Sequence, residues 1–203
     1  MNNFNRDLLV LAVVVSAVIA IGGCSGRAIV PTSFNTYNSK DGAFKIDYPA
    51  QWQAEGNSKS GYAWAKFASG SAEITIDANV VGSLIAEIAR TRSQMHGIQN
   101  TDPENAPVAV VHENERQGFE EDGSVQEQEP LPINTGFGDS RKSEYAGRRT
   151  FGGSIHGYRV TALSPEKRIR VVCQCSESEW ESLKPAFDKA IKSVAMGEVD
   201  PVV

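Results

Sequence analysis

The sequence predicts an α+β domain, a central antiparallel sheet flanked by helices. Three observations lead there. Strict apolar–polar alternation appears early, over 44–48 and 72–78; the spacing then shifts toward the helical period; strands return before a closing amphipathic helix. That order suits the α+β class rather than alternating βαβ units. The chain has 203 residues, 40% apolar and 22% charged, enough for one domain that buries roughly 70% of its unfolded surface. This composition excludes a collagen-like, coiled-coil or wholly disordered chain. Twenty Lys+Arg against 25 Asp+Glu leave a formal charge of −5, which argues against a nucleic-acid partner.

The first 23 residues read as a targeting segment. Met1–Asp7 is polar and weakly positive, and Leu8–Ile21 follows with 14 uncharged residues. That length suits a signal-peptide core and falls short of the roughly 17–25 residues that span a bilayer. Ile21, Gly22 and Gly23 then precede Cys24. An aliphatic residue three before a cysteine, with small residues between, resembles the bacterial lipoprotein processing box. The resemblance implies a diacylglyceryl thioether on Cys24, cleavage before it and acylation of the new amine. Two or more acyl chains make a stable tether, whereas one is marginal. Ser25, in place of Asp, resembles lipoproteins sent to the outer membrane in cells with two membranes. Residues 24–40 then read as an aperiodic polar tether, 41–196 as the folded domain and 197–203 as a tail.

Within the domain, Phe44, Ile46 and Tyr48 alternate with polar residues up to Pro49, and Trp52 follows. Tyr62–Phe67 is apolar on both phases except at Lys66, as a central strand would be, and Trp64 is expected to be buried in the core. Ala72–Ala78 alternates again. Leu84, Ile85, Ile88 and Met95 predict a helix over Gly82–His96. Pro103–Phe119 predicts another, with Pro107 tolerated in its first turn and a thin apolar face of Val108, Val111 and Phe119. Glu120–Asn134 is acidic and carries prolines, so it reads as a long exposed loop. Strands follow at Arg141–Gly147, Phe151–Leu163 and Arg168–Cys175, the last two joined by a Ser164–Lys167 turn. Glu177–Val194 is the closing helix, with Trp180, Leu183, Phe187, Ile191 and Val194 on one face. Ser176-x-x-Glu179 resembles a capping box, and Pro185 predicts an interruption with a restart capped by Ser182.

Asp41-Gly42-Ala43-Phe44, Tyr48-Pro49 and Trp52 resemble the G-x-F-x-x-x-Y-P-x-x-W opening of the PsbP-like family. The closing helix, with Pro185, Phe187, Ile191 and Ser193, is similar to that family's C-terminus. The resemblance spans residues 41–196 and implies an α/β/α sandwich around an antiparallel sheet. The family's named member assists photosystem II. No residue here matches a photosynthetic binding site, so the resemblance brings a fold and no site, and the acidic segment before Gly136 departs from it.

Candidate chemistry is sparse. Cys173 and Cys175 sit two apart on one strand, so both point to one face, shared with Ile169 and Val171. They read as small buried hydrophobes; the alternative is a redox or hydrolytic site in an envelope enzyme. His96, His112 and His156 are scattered and form no HExxH pattern. Ser164-x-x-Lys167 falls in a turn, and Gly152–Gly157 lacks the glycine a nucleophile elbow needs after Ser154; these glycines suggest a bulge or bend. The acidic run Glu113–Glu129 has no calcium-loop spacing. No metal or cofactor is expected. The remaining candidate is a basic patch: Lys142, Arg148, Arg159, Arg168 and Arg170 fall on the predicted outward phase of the last three strands, with Glu144 and Thr161. It would attract an anionic envelope component or an acidic protein, unless those charges pair with carboxylates such as Glu87 or the acidic segment. The sequence therefore points to a lipid-anchored envelope protein whose domain binds or assembles without catalysis.

Overall fold

A computed structural model describes residues 26–79, 106–148, 153–164 and 167–198. The targeting segment, Cys24 and the predicted helix Gly82–His96 lie outside these residues. Strands β1 (Phe34–Asn38) and β2 (Lys45–Pro49) form an antiparallel pair. The main sheet contains β3 (Gln53–Lys59), β4 (Tyr62–Ser69), β5 (Ala72–Asn79), β6 (Val125–Glu127), β7 (Leu131–Thr135), β8 (Gly138–Arg148), β9 (Ser154–Leu163) and β10 (Arg168–Ser176). Its order is β3-β4-β5-β10-β9-β8-β6, with β7 pairing the first half of β8, and every pairing is antiparallel. Helix α1 (Pro107–Gly123) packs on β6, β8 and β9. Helix α2 (Trp180–Ser193) packs on β2, β7, β9 and β10. The fold is the predicted α+β class.

Registration across the sheet explains the core. Phe67 lies opposite Ile74, Ile74 opposite Cys173 and Cys173 opposite Tyr158. The neighbouring row runs Ala65, Ile76, Val171, Val160. Directly opposed residues share a face, so both rows meet Trp180, Leu183, Phe187 and Ile191 of α2, together with Phe44, Ile46 and Trp52. Cys173 and Cys175 are free thiols buried in this layer.

Five expectations are corrected. Residues 34–38 of the expected tether form β1, because Tyr37 packs between Phe44 and Phe67. Trp64 faces away from the core and is half-buried, since Ala63, Ala65 and Phe67 take the inward phase. The acidic stretch 120–134 completes α1 and supplies β6 and β7. Pro132 is tolerated because β7 is an edge strand that pairs only with β8. Helix α2 continues through Pro185. A mid-helix proline costs about 3 kcal/mol, and burying Trp180, Leu183, Phe187 and Ile191 at roughly 1.5–3 kcal/mol each outweighs it. Finally, Gly157 makes no bulge: the β8–β9 register runs unbroken from Ser140–Ala162 to Arg148–Ser154. A Cβ there would stand 2.2 Å from the Cys173 carbonyl oxygen and 2.6 Å from the Tyr145 ring. Glycine leaves that space to Tyr145, whose hydroxyl donates to the same carbonyl at 3.3 Å.

Ile76 is fully enclosed, so Ile76→Ala should lower unfolding free energy by roughly 2–5 kcal/mol, measured by urea denaturation. A loss under about 0.5 kcal/mol would contradict the assigned strand phase.

Candidate functional site

The expected basic patch is divided between two faces. Ser143 lies opposite Arg159, so Lys142, Glu144 and Arg148 belong to the α2 side with Val160, and Arg159, Arg168 and Arg170 to the α1 side. The phase of β8 therefore differs by one residue from the predicted one, which moves a whole strand face. Lys142 donates to Asp188 of α2 at 3.0 Å and lies over the Tyr158 ring. Arg148 is exposed at the end of β8.

Nor are the α1-side arginines a free cationic surface. Arg159 is 0% exposed. Its Nε and Nη2 donate to the two carboxylate oxygens of buried Glu127, both at 2.6 Å, and Nη2 also reaches the His112 carbonyl at 3.0 Å. Arg168 pairs with Glu115 of α1 and with Asp77. Arg170 Nε donates to Asp77 at 2.9 Å. Two of the partners, Glu115 of α1 and Glu127 of β6, thus come from a helix and from the acidic stretch that follows it.

Glu127 is placed by backbone bonds at both its ends. Its N–H donates to Glu120 Oε1 at 2.8 Å, and its carbonyl accepts from Arg116 Nη2 at 2.6 Å. The Glu127 N–H, then the Arg116 guanidinium, hold the Glu120 carboxyl below its usual range against a smaller effect of burial. Beside this pair the His112 imidazole is clamped, Nδ1 2.9 Å from Thr161 Oγ1 and Nε2 2.6 Å from Ser143 Oγ. Burial and then the charges of Arg159, Arg141 and Arg116 lower its pKa to about 3. Neutral imidazole donates from one nitrogen and accepts at the other, and the two hydroxyls adapt to either tautomer.

At the edge of this layer a cleft of about 430 Å³ is lined by Glu115, Phe119, Asp122, Arg159 and Arg170, with Gly118 and Gly123. Arg159 Nη1 and Glu115 Oε2, 3.8 Å apart, are buried there without hydrogen-bond partners. These two atoms face each other rather than the open cleft, and the charges around it are mostly balanced internally.

Elsewhere, Cys173 is enclosed, and burial pushes its thiol well above the ordinary range. A thiol held protonated is a poor nucleophile and metal ligand. His156 stacks on Trp180 and lies between Glu144 and Glu177. Ser164 Oγ accepts from the Lys167 N–H at 2.9 Å, closing the turn. His96 lies outside the described residues.

Glu179, which the sequence places only in a capping motif, is a buried carboxylate that ties distant segments together. Ser176 donates to Glu179 itself, and no side-chain bond caps the helix backbone. Ser71 donates to the same oxygen, and the Ala28 N–H to the other at 2.6 Å. Burial raises the Glu179 pKa, but these three bonds and Arg27 outweigh it and hold the group ionised below the usual range.

No protein-family model matches the chain, and no curated protein matches it in sequence. Among solved structures it is similar to the cyanobacterial PsbP protein CyanoP from Synechocystis, at 14% identity and a TM-score of 0.56, over 87% of this chain and 98% of that one. At that identity the likeness shows the fold, which is PsbP-like. It is also similar to LpqN, a protein involved in cell envelope biogenesis of Mycobacterium tuberculosis, at 11% identity and a TM-score of 0.44, over 81% and 92% of the two chains. A likeness at that score carries no inference about this chain.

Two outcomes are expected from the buried layer. Glu127→Ala strands the Arg159 charge and should cost roughly 3–5 kcal/mol, whereas the double replacement Glu127→Leu with Arg159→Met should recover most of that loss; equilibrium unfolding of both variants checks this. His112 accepts a proton near pH 3 when folded, and near 6.5 when unfolded. Between those values the unfolded chain binds the extra proton, so stability is lost as the pH is lowered, by up to ~1.4 kcal/mol per unit. His112→Gln should flatten that slope between about pH 6.5 and 5, above most carboxylate titration.

Proposed function

We propose that the chain is a lipid-anchored cell-envelope protein whose PsbP-like domain binds or assembles with an envelope component and performs no catalysis. The observation that carries this reading is the spacing between Cys24 and the domain. The processing-box cysteine stands four residues before Ala28, and Ala28 is buried with its N–H donated to Glu179. An acylated Cys24 would hold the domain at the membrane surface, on the outer side of the cytoplasmic membrane or on the outer membrane facing the periplasm.

Two further observations favour a binding module over an envelope enzyme. The buried ionisable groups under α1 are engaged in holding that helix, with Arg159 on Glu127 and His112 between two hydroxyls. The thiol of Cys173, on which a redox site would depend, is enclosed in the core and held protonated. Among the described residues no helix is long and apolar enough to cross a membrane, so attachment would fall to the lipid. Of the five basic residues expected to form a patch, Arg148 and the partly exposed Arg170 would be the ones available to an anionic partner.

Expression with radiolabelled palmitate should label the protein and shift its mass by the acyl groups. Cys24→Ser should abolish both and leave the precursor uncleaved. Labelling that persists in the variant would contradict the anchoring.

A further inference from the structure

We infer that the anchor is a short leash that holds one end of the domain against the bilayer, with Ile29 and Val30 entering the lipid headgroup region. This rests on the lipidation of Cys24 proposed above. Four residues reach at most about 14 Å even when fully extended, so the point where the chain first joins the domain lies at the membrane surface. That point is a built contact. The Ala28 N–H donates to Glu179 Oε1 at 2.6 Å, the Ile29 N–H to Ser69 Oγ at 3.1 Å, and Trp52 Nε1 donates to the Ile29 carbonyl at 3.0 Å. Gly70, at φ 55°, turns the β4–β5 hairpin beneath it, and a Cβ there would stand 2.1 Å from the Gly26 carbonyl oxygen. The N-terminal segment therefore lies flat on the hairpin and on the start of α2.

The side chains left outside are those a lipid surface takes. Ile29 and Val30 are 50% and 49% exposed, next to each other and immediately after the pinned residue. Exposed Arg27 precedes them and suits anionic headgroups. Ser71, Ser176 and Ser178 rim the adjoining cleft of about 530 Å³ with hydroxyls. Aliphatic tips flanked by a cation and hydroxyls match the apolar-to-polar gradient of a membrane interface. The far end of the sheet, with the β7–β8 and β9–β10 turns, would then point away from the bilayer.

The test uses the lipidated protein on vesicles of phosphatidylethanolamine and phosphatidylglycerol. A polarity-sensitive fluorophore is placed in turn at Val30→Cys, Ser178→Cys and Asn134→Cys. Cys173 and Cys175 are buried, and the unsubstituted lipidated protein gives the background. Brominated lipid should quench Val30 most, Ser178 at least about threefold more than Asn134, and Asn134 hardly at all. Glu179→Gln should bring Ser178 and Asn134 together while acyl mass and vesicle flotation persist. If the protein floats with its acyl chains intact but Ser178 and Asn134 are quenched equally, the inference is wrong and the anchoring stands. If acyl mass and flotation are both missing, the anchoring is wrong and this inference falls with it.

Discussion

A guanidinium sealed from water requires a carboxylate within hydrogen-bond reach, because the effective cost of burying each unpaired ion is several kcal/mol. Arg159 imposes that requirement from the middle of β9. Its partner, Glu127, comes from a three-residue strand that pairs with β8 and is fastened at its N–H by Glu120 and at its carbonyl by Arg116. Both fasteners belong to α1, and the same guanidinium takes the His112 carbonyl from that helix. One buried pair therefore sets the height of α1, the pairing of β6 and the placement of the imidazole. Arg168, bridging Glu115 of α1 to Asp77 of β5, extends the constraint across the sheet.

The two sides of the sheet are held by different physics, and this decides what the sequence revealed. On the α2 side the contact is apolar, so the periodicity of Ile74, Ile76, Trp180 and Phe187 carried it into view. The α1 side is a polar interface in which Arg159 and Thr161 occupy inward positions that a hydrophobic pattern scores as outward. The phase of β8 failed for the same reason: Lys142 and Glu144 face α2 through Asp188 and Lys184, not solvent. The strands β6 and β7 were hidden because three and five residues interrupted by Pro130 and Pro132 leave no room for alternation. The PsbP-like resemblance at both ends of the domain gave the right class without the middle.

Of the residues singled out for partner binding, spacing along the strands could not say which charges would be neutralised. That depends on which carboxylates the topology brings across, and two of them come from α1 and the acidic stretch that follows it. Glu179 is the opposite case. It stands in a motif that normally caps a helix, yet its carboxylate gathers Ser71, Ser176 and the backbone of residue 28. The donor from residue 28 lies 151 positions away in sequence, a separation at which no local pattern operates. The apolar α2 core and this carboxylate together place the N-terminal segment, while the Arg159–Glu127 pair builds the opposite layer independently.

The guanidinium of Arg159 reports most directly on whether that layer exists. Nitrogen-detected NMR of arginine side chains at neutral pH should show guanidinium signals, that of Arg159 and that of the also buried Arg141, whose protons exchange far more slowly than those of solvent arginines, and one of them should disappear from that class when residue 159 is replaced by Lys. If every arginine guanidinium in the folded protein exchanges as a free side chain does, the buried pair is absent and α1 must be held in some other way.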